Sequence, residues 1–245
     1  MTYFILFGAV CVFAYLSTRF WQNHESHLAN KPKPQPFFEL SNPSHILCSD
    51  KPPLLGGILK PIARSAFEEQ ENITWTNSPV AYNTTLRHLA LVPDPHDKNL
   101  VDEFTHFAIC DIDPKIGKGV FATKPLKAGT VIGIYTGILN LHQGRYAGKY
   151  ELNASVHPDK IFCYDAERYR NVTSYIQHAP SEGPHDIATA NLIMQNVIQG
   201  GVPVAIYVAK RDIEPYEQLL VNYGKTYWVG RTYQLFDQTG QSLKN

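Results

Sequence analysis

The stretch VPVAIYVAKRDIEPYEQLLVNYGKTYW, residues 202–228, constrains the fold of this 245-residue chain more than any other. An alternating β-branched run precedes a charged turn at Arg211-Asp212, and a second apolar run, residues 219–221, ends on Asn222-Tyr223-Gly224. This pattern predicts two strands joined by a turn. Because Gly224 frees the backbone just after the second strand, the arrangement is suited to directing the Tyr223 phenol into a pocket.

Two further segments repeat the pattern of a strand that ends in a polar or aromatic residue. The first, IGKGVFATKPLKAGTVIGIYTG, spans residues 116–137 and contains a Gly-x-Gly turn and a Tyr-x-Gly end at Tyr135. The second, FCYDAERYRNVTSYIQHA, spans residues 162–179 and ends near the pair Gln177-His178. Each segment alone is a weak signal, because short apolar and glycine patterns recur by chance. Their order along the chain is the stronger observation.

In this order the three segments resemble the SET domain, the fold of S-adenosylmethionine-dependent protein lysine methyltransferases. The resemblance implies a mostly β fold of several small β-sheets with short helices. The apolar first residues of the chain predict an N-terminal hydrophobic helix before this fold, followed by a lead-in region. The domain organisation predicted on this basis has four parts: an anchor helix at residues 1–22, a linker and lead-in region at 23–105 that packs on the catalytic domain, the SET domain at 106–228, and a C-terminal tail at 229–245.

The resemblance also implies roles for individual residues. It makes Tyr223 and Tyr135 the catalytic residues, lining an aromatic channel that lowers the pKa of a target lysine from its ordinary value of about 10.4. Its implied contacts to S-adenosyl-L-methionine come from Gly117, Lys118, Gly119, Gln177, His178 and Tyr223. Four aromatic residues are candidates for further walls of the channel or for core packing: Tyr150, Phe162, Tyr227 and Trp228.

The chain departs from the family pattern at several of these positions. Gln177 stands where the family has asparagine, Tyr216 replaces a glycine, and Asn222 replaces an acidic residue. A turn-rich insertion at residues 180–189 predicts a surface loop. Since both tyrosines and the glycine turn remain, we expect a protein-lysine N-methyltransferase acting on a protein or peptide. The alternative is a non-catalytic interaction module that uses the SET scaffold, tethered to a membrane, to bind a peptide or protein.

The composition of the chain bears on whether it binds nucleic acids or metal ions. Lys+Arg and Asp+Glu both total 22, so the chain has no net charge and no direct nucleic-acid binding is expected. The four cysteines are widely spaced, with no Cys-x-x-Cys pair and no Cys/His cluster. They predict buried apolar residues in a reducing compartment, and no metal site.

The first 18 residues, MTYFILFGAVCVFAYLST, contain no charged side chain, and Arg19 and the linker KPKPQP follow. The length is near the lower limit of about 17 residues for a membrane span. The flanking positive charges favour a membrane anchor with the catalytic domain in the cytoplasm. The alternative is a buried helix of a soluble cytoplasmic protein. In the lead-in region, the spacing of apolar residues predicts a helix over 58–70, and NITW followed by TNSPVAYN predicts a short hairpin.

Overall fold

The computed structural model describes residues 35–36, 42–81, 106–141, 150–155, 162–199, 202–231 and 235–243. The chain divides into two compact units, 1–35 and 36–245, and the description that follows concerns the second. The predicted anchor at residues 1–22 lies outside the described residues. Among the described residues, no helix combines the length and the apolar character needed to cross a membrane.

Short strands are the predominant regular element of the described chain. They are β1 Gln35–Pro36, β2 His45–Ser49, β3 Lys60–Ala63, β4 Thr74–Trp75, β5 Val80–Ala81, β6 Phe107–Asp113, β7 Gly117–Ala122, β8 Val131–Ile134, β9 Ile138–Leu141, β10 Glu151–Asn153, β11 Phe162–Asp165, β12 Tyr169–Arg170, β13 Gln177–His178, β14 Leu192–Gln199, β15 Val202–Ala209, β16 Leu220–Val221, β17 Leu235–Phe236 and β18 Ser242–Leu243. The described helices are α1, Arg64–Glu71, and three 3-10 turns, Pro53–Leu55, Val172–Tyr175 and Lys225–Trp228.

The strands form three small sheets and two isolated pairs. The sheet orders are β3-β2-β6-β7, β13-β16-β14-β15-β8 and β1-β5-β9-β11-β10, and the pairs are β12-β4 and β17-β18. The predicted fold class, mostly β with several small sheets and short helices, is therefore confirmed. The predicted hydrophobic helix before it lies outside the described residues.

The stretch from residue 202 to 228 supplies β15 and β16, two inner strands of the sheet β13-β16-β14-β15-β8. β15 lies between β14 and β8 and is buried along most of its length, which explains its nearly continuous apolar sequence. Pro203 cannot donate to a ladder, and it lies beyond the end of β8, whose pairing begins at Ile206. The Pro203 carbonyl accepts a hydrogen bond from the fully buried Tyr164 hydroxyl at 2.6 Å, which ties β15 to the third sheet.

Residues from the lead-in region share the main core. Phe67, on the buried face of α1, makes edge-to-face contacts with Trp75 at 6.0 Å and Tyr175 at 5.9 Å between ring centroids. Tyr175 belongs to the 3-10 turn that immediately precedes Gln177. The lead-in helix therefore packs against the segment that carries part of the candidate site.

Two predictions for the lead-in region are wrong in detail. The predicted helix over 58–70 begins only at residue 64, because residues 60–63 pair with β2 as an edge strand, where Pro61 is tolerated. The predicted hairpin does not form. Thr74–Trp75 instead pairs in parallel with Tyr169–Arg170, and Val80 pairs in parallel with Ile138.

Candidate functional site

Parallel strands bring the segment 162–179 and the segment 202–228 together. β16 lies between β13 and β14, so Gln177 is level with Leu220 and His178 with Val221. Two residues beyond β16, the Tyr223 backbone N–H donates to Nδ1 of His178 at 3.1 Å. The chain then turns at Gly224, whose φ of 81° is in the left-handed region that favours glycine. This pairing places Tyr223 directly beside His178.

His178 is buried and neutral. Burial lowers its pKa from 6.5 to about 4, because the apolar surroundings disfavour the imidazolium. Since Nδ1 accepts the hydrogen bond from Tyr223, the ring proton of the neutral form is on Nε2. His178 therefore offers an Nε2 donor at neutral pH and no net charge.

The Tyr223 phenol is fixed by contacts on several sides. Its hydroxyl donates to the Ile176 carbonyl at 2.5 Å, and its ring stacks with Trp228 at 6.0 Å and meets Tyr227 edge-on at 4.9 Å. Burial raises the Tyr223 pKa well above its ordinary value, and the nearby Tyr207 hydroxyl raises it further. Tyr223 is therefore a neutral phenol at physiological pH, with its one proton committed to a main-chain carbonyl.

Tyr135 lies just beyond the end of β8 and has a parallel arrangement. Its hydroxyl donates to the Tyr150 carbonyl at 2.7 Å, and its ring contacts Tyr207 edge-on at 6.3 Å. Burial raises the Tyr135 pKa well above its ordinary value, and the nearby Tyr207 and Tyr223 raise it further. Tyr135 and Tyr223 are 88 positions apart in the sequence, yet they lie close enough for Tyr223 to affect the pKa of Tyr135.

Tyr207 connects them and was missed by the sequence reasoning. Its side chain is buried on β15, and burial raises its pKa as well. In the sequence it follows Ile206 and precedes Val208, so it reads as an ordinary core residue of an apolar strand. Tyr207 lies on β15, which pairs with β8, and β8 ends next to Tyr135. Only this strand pairing relates Tyr207 to the site.

The four aromatic residues predicted as further walls fall into two groups. Tyr227 and Trp228 contact the Tyr223 ring, and Tyr150 supplies the carbonyl that holds Tyr135. Phe162 is a buried core residue on β11. The structure therefore places three of the four at the site.

The glycine turn opens β7, and its two glycines are needed for different reasons. Gly117 has a φ of 88°, and a Cβ there would meet no protein atom within 4 Å. A Cβ on Gly119 would lie 2.3 Å from Cδ1 of Ile112 and 2.9 Å from Nε2 of Gln218. Gly119 is thus required by packing within the protein, whereas the open side of the turn is at Gly117.

Lys118 joins this turn to β13. Its carbonyl accepts a hydrogen bond from Nε2 of Gln177 at 2.6 Å. Its ammonium pairs with Asp111 at 2.5 Å and with Glu71 at 3.6 Å. The residues predicted to contact a cofactor are therefore linked, from the turn through Gln177 and His178 to Tyr223.

Buried asparagines position the strands on which these residues lie. Asn171 accepts from the Thr173 N–H at 3.0 Å and donates to the Ile134 carbonyl at 3.1 Å, next to Tyr135. Asn191 accepts from the Leu220 N–H at 2.9 Å, which fixes the entry into β16. Both side chains are almost fully buried, so each hydrogen bond replaces solvation lost on folding.

Arg170 is a second residue that the sequence reasoning missed. It is buried, and its guanidinium carbon lies 4.2 Å from the Tyr150 ring centroid and 5.5 Å from that of Tyr175. The nearby cation partly offsets the effect of burial on the pKa of Tyr135. In the sequence, a single arginine in an irregular segment is typical of a solvated surface.

The site has no metal centre within the part of the chain that the structure describes: no group of three or more His, Cys, Asp or Glu residues there is placed to hold an ion. Two cysteines near the turn, the partly buried Cys48 and the buried Cys110, are protonated thiols at neutral pH. Burial raises the pKa of Cys48 to about 11 and that of Cys110 to about 12.

Comparison with known proteins agrees with this geometry. Residues 117–224 match the family model of the SET domain. No curated protein matches the chain in sequence. Two similar solved structures are ATXR5 in complex with histone H3.1 mono-methylated on one arginine, and the ATXR5 SET domain in complex with histone H3 di-methylated on an arginine.

The TM-scores of these two structures are 0.51 and 0.52. Each is 14% identical to this chain, and the match covers 65% of this chain and 84% of theirs. At this identity the similarity concerns the fold alone. The family match covers the glycine turn, β13 and the Asn222-Tyr223-Gly224 end, so residues 117–224 form a SET domain.

Proposed function

We propose that this chain is an S-adenosyl-L-methionine-dependent protein-lysine N-methyltransferase. One arrangement carries the proposal: Tyr135 and Tyr223 are neutral phenols that both lie near Tyr207, and Tyr223 lies beside the neutral His178, whose neighbour Gln177 contacts the glycine turn. Positioning and electrostatics are the main contributions that a protein makes to an in-line displacement.

The chemistry of the residues around the turn suits a positively charged ligand such as S-adenosylmethionine. The open side of Gly117 allows close approach of main-chain groups, which a Cβ would reduce. His178 carries no positive charge, so it does not repel a sulfonium. The half-buried rings of Tyr223 and Trp228 present π faces, which attract cations. Residues 117–119, Gln177, His178 and Tyr223 would hold the cofactor, which supplies the activated methyl group when bound.

The tyrosines govern the protonation of the target amine. A channel between these residues removes the amine from water, which disfavours the ammonium and lowers the lysine pKa. Tyr135 and Tyr223 have raised pKa values, so neither is ionised near neutral pH and neither acts as the base. The amine proton therefore leaves to solvent before transfer, and the phenols act on the neutral amine.

The hydroxyl geometry explains how they would do so. Tyr223 donates to the Ile176 carbonyl and Tyr135 to the Tyr150 carbonyl, so each phenol oxygen has used its only proton. The remaining lone pairs can accept weak C–H donation from an activated methyl group or N–H donation from an amine. Tyr223 would orient the methyl group, and Tyr135 would orient the amine.

The substrate class is a protein or peptide containing lysine. The ATXR5 structures are complexes with histone H3, so histone H3 is a reasonable first substrate to assay here. We also propose that the apolar N-terminal segment anchors the chain to a membrane with residues 106–228 in the cytoplasm. Fractionation of cells expressing the full chain, with and without residues 1–22, tests that part separately.

Labelled S-adenosyl-L-methionine tests the enzymatic proposal. Incubation of the purified chain with histone H3 and with cell extract, followed by mass spectrometry of lysines, should show transfer that is lost in Tyr223→Phe. Calorimetric titration with S-adenosylhomocysteine separates the alternative. A chain that folds but binds no cofactor product and methylates no lysine is a non-catalytic interaction module.

A further inference from the structure

The glycine turn is braced from two directions by side chains of this chain. From β13, Gln177 donates to the Lys118 carbonyl at 2.6 Å. From the other side, the Lys118 ammonium reaches across to Asp111 on β6 and Glu71 at the end of α1. The contacts converge on Lys118, the residue immediately after Gly117, where the backbone has the left-handed φ of 88°.

The length of Gln177 accounts for the first contact. An asparagine at this position would end one methylene, about 1.5 Å, short. At that length the amide would not reach the Lys118 carbonyl without movement of β13, which is fixed against β16. The departure from the family pattern therefore creates a hydrogen bond that an asparagine would not make.

The ion pairs of the Lys118 ammonium brace the turn from the other side. Only 15% of the Lys118 side chain and 20% of the Glu71 side chain are exposed, so water screens them less than a surface pair. Burial opposes the charge on Lys118, but the Asp111 hydrogen bond and the Glu71 carboxylate together raise its pKa. The ammonium is engaged by protein carboxylates, so Lys118 contributes to the site through its main chain.

We infer that Gln177, Lys118 and Glu71 are positioning residues that hold the 117–119 turn in its cofactor-binding geometry, an inference that rests on the proposed function. Glu71 lies outside the segment that matches the SET family model. The lead-in region is thereby part of the cofactor site, in addition to its packing against the core.

The test is calorimetric titration of the full chain with S-adenosylhomocysteine. We expect Gln177→Asn, Lys118→Met and Glu71→Gln each to weaken binding by fivefold or more. Lys127→Met is the control, because it makes the same substitution at an exposed lysine whose 2.7 Å ion pair, with Asp212, lies at a different turn. It should leave the affinity within twofold of the unmodified chain.

Steady-state kinetics distinguish positioning from a general loss of structure. The same substitutions should raise KM for S-adenosyl-L-methionine and leave kcat at saturation within twofold. Lys118→Arg, which keeps the charge, should restore most of the affinity lost in Lys118→Met. Gln177→Glu, which keeps the length but cannot donate to a carbonyl, should behave like Gln177→Asn.

Unchanged or tighter binding in Gln177→Asn and Lys118→Met overturns the inference while leaving the proposed function intact. A fall in kcat with unchanged KM also overturns it. Absence of binding by the unmodified, folded chain refutes the proposed function itself. Circular dichroism checks that each variant folds. If Gln177→Asn or Lys118→Met does not fold, the binding affinities of Gln177→Glu and Lys118→Arg test the inference instead.

Discussion

Acidification should destabilise this protein through one buried histidine. The pKa of His178 is about 4 in the folded chain and 6.5 when exposed, so between these values the unfolded chain binds the extra proton. The free energy of unfolding therefore falls as the pH falls through this window. The contribution is intact above pH 6.5 and fully lost only below pH 4.

The magnitude follows from the width of the window. Each pKa unit corresponds to about 1.4 kcal/mol, so the complete loss is about 3 kcal/mol, of which about 2 kcal/mol has occurred by pH 5. Typical domains are stable by only 5–15 kcal/mol, so a loss of this size is readily measured.

Urea denaturation at pH 7.5, 6.5, 5.5 and 5.0 is the assay, with His178→Asn as the comparison. Asparagine can still accept from the Tyr223 N–H but does not titrate. Acidic groups such as Glu217, whose pKa is lowered by Arg211, contribute equally to both proteins and cancel in the difference. His45→Asn, at an exposed histidine, is the control for the substitution itself.

Between pH 7.5 and 5.0, the unmodified protein should lose about 2 kcal/mol more stability than His178→Asn. Parallel pH profiles for the two proteins would refute the reasoning. They would mean that the imidazole accepts a proton in the folded state without cost.

Three further predictions concern single side chains. Tyr223→Phe should lower methyl transfer at least a hundredfold while reducing stability by about 1 kcal/mol, because it removes the hydrogen bond to Ile176; transfer assays and urea denaturation measure the two effects. Asn171→Ala should destabilise the fold by about 3 kcal/mol, since it leaves the Ile134 carbonyl with one donor fewer and removes a buried cap, as denaturation would show. Tyr216 has a φ of 68°, so Tyr216→Gly should stabilise the chain by about 0.5–1 kcal/mol in the same assay, and a loss would contradict the assignment of strain.

The sequence predicted those parts of the site whose geometry is local. Tyr223 before Gly224 is a strand end followed by a left-handed turn, and both features depend on a few adjacent residues. Gly117 is similar, since its conformation follows from its own lack of a side chain. The backbone conformation of such a turn can therefore be predicted from a few adjacent residues, although its place in the site cannot.

The parts that failed depend on partners far away in the chain. The apolar spacing over 58–70 fits a helix, yet residues 60–63 form a strand because β2 offers them a partner. The predicted hairpin after residue 72 is replaced by two parallel pairs with distant strands. Tyr207 and Arg170 look like a core residue and a surface residue until the fold brings them to Tyr135. Tertiary pairing overrides local preference in each case.

The hydrogen bonds of the site explain why the three sequence segments are informative only together. Gln177 reaches Lys118 across 59 positions, and Tyr223 reaches His178 across 45 and Ile176 across 47. Each bond joins two different segments, so no segment forms any part of the site by itself. Because β16 must enter between β13 and β14 before Tyr223 meets His178, the site exists only in the assembled domain. A glycine turn or a tyrosine end alone predicts little, whereas the three in order predict the contacts that close the site.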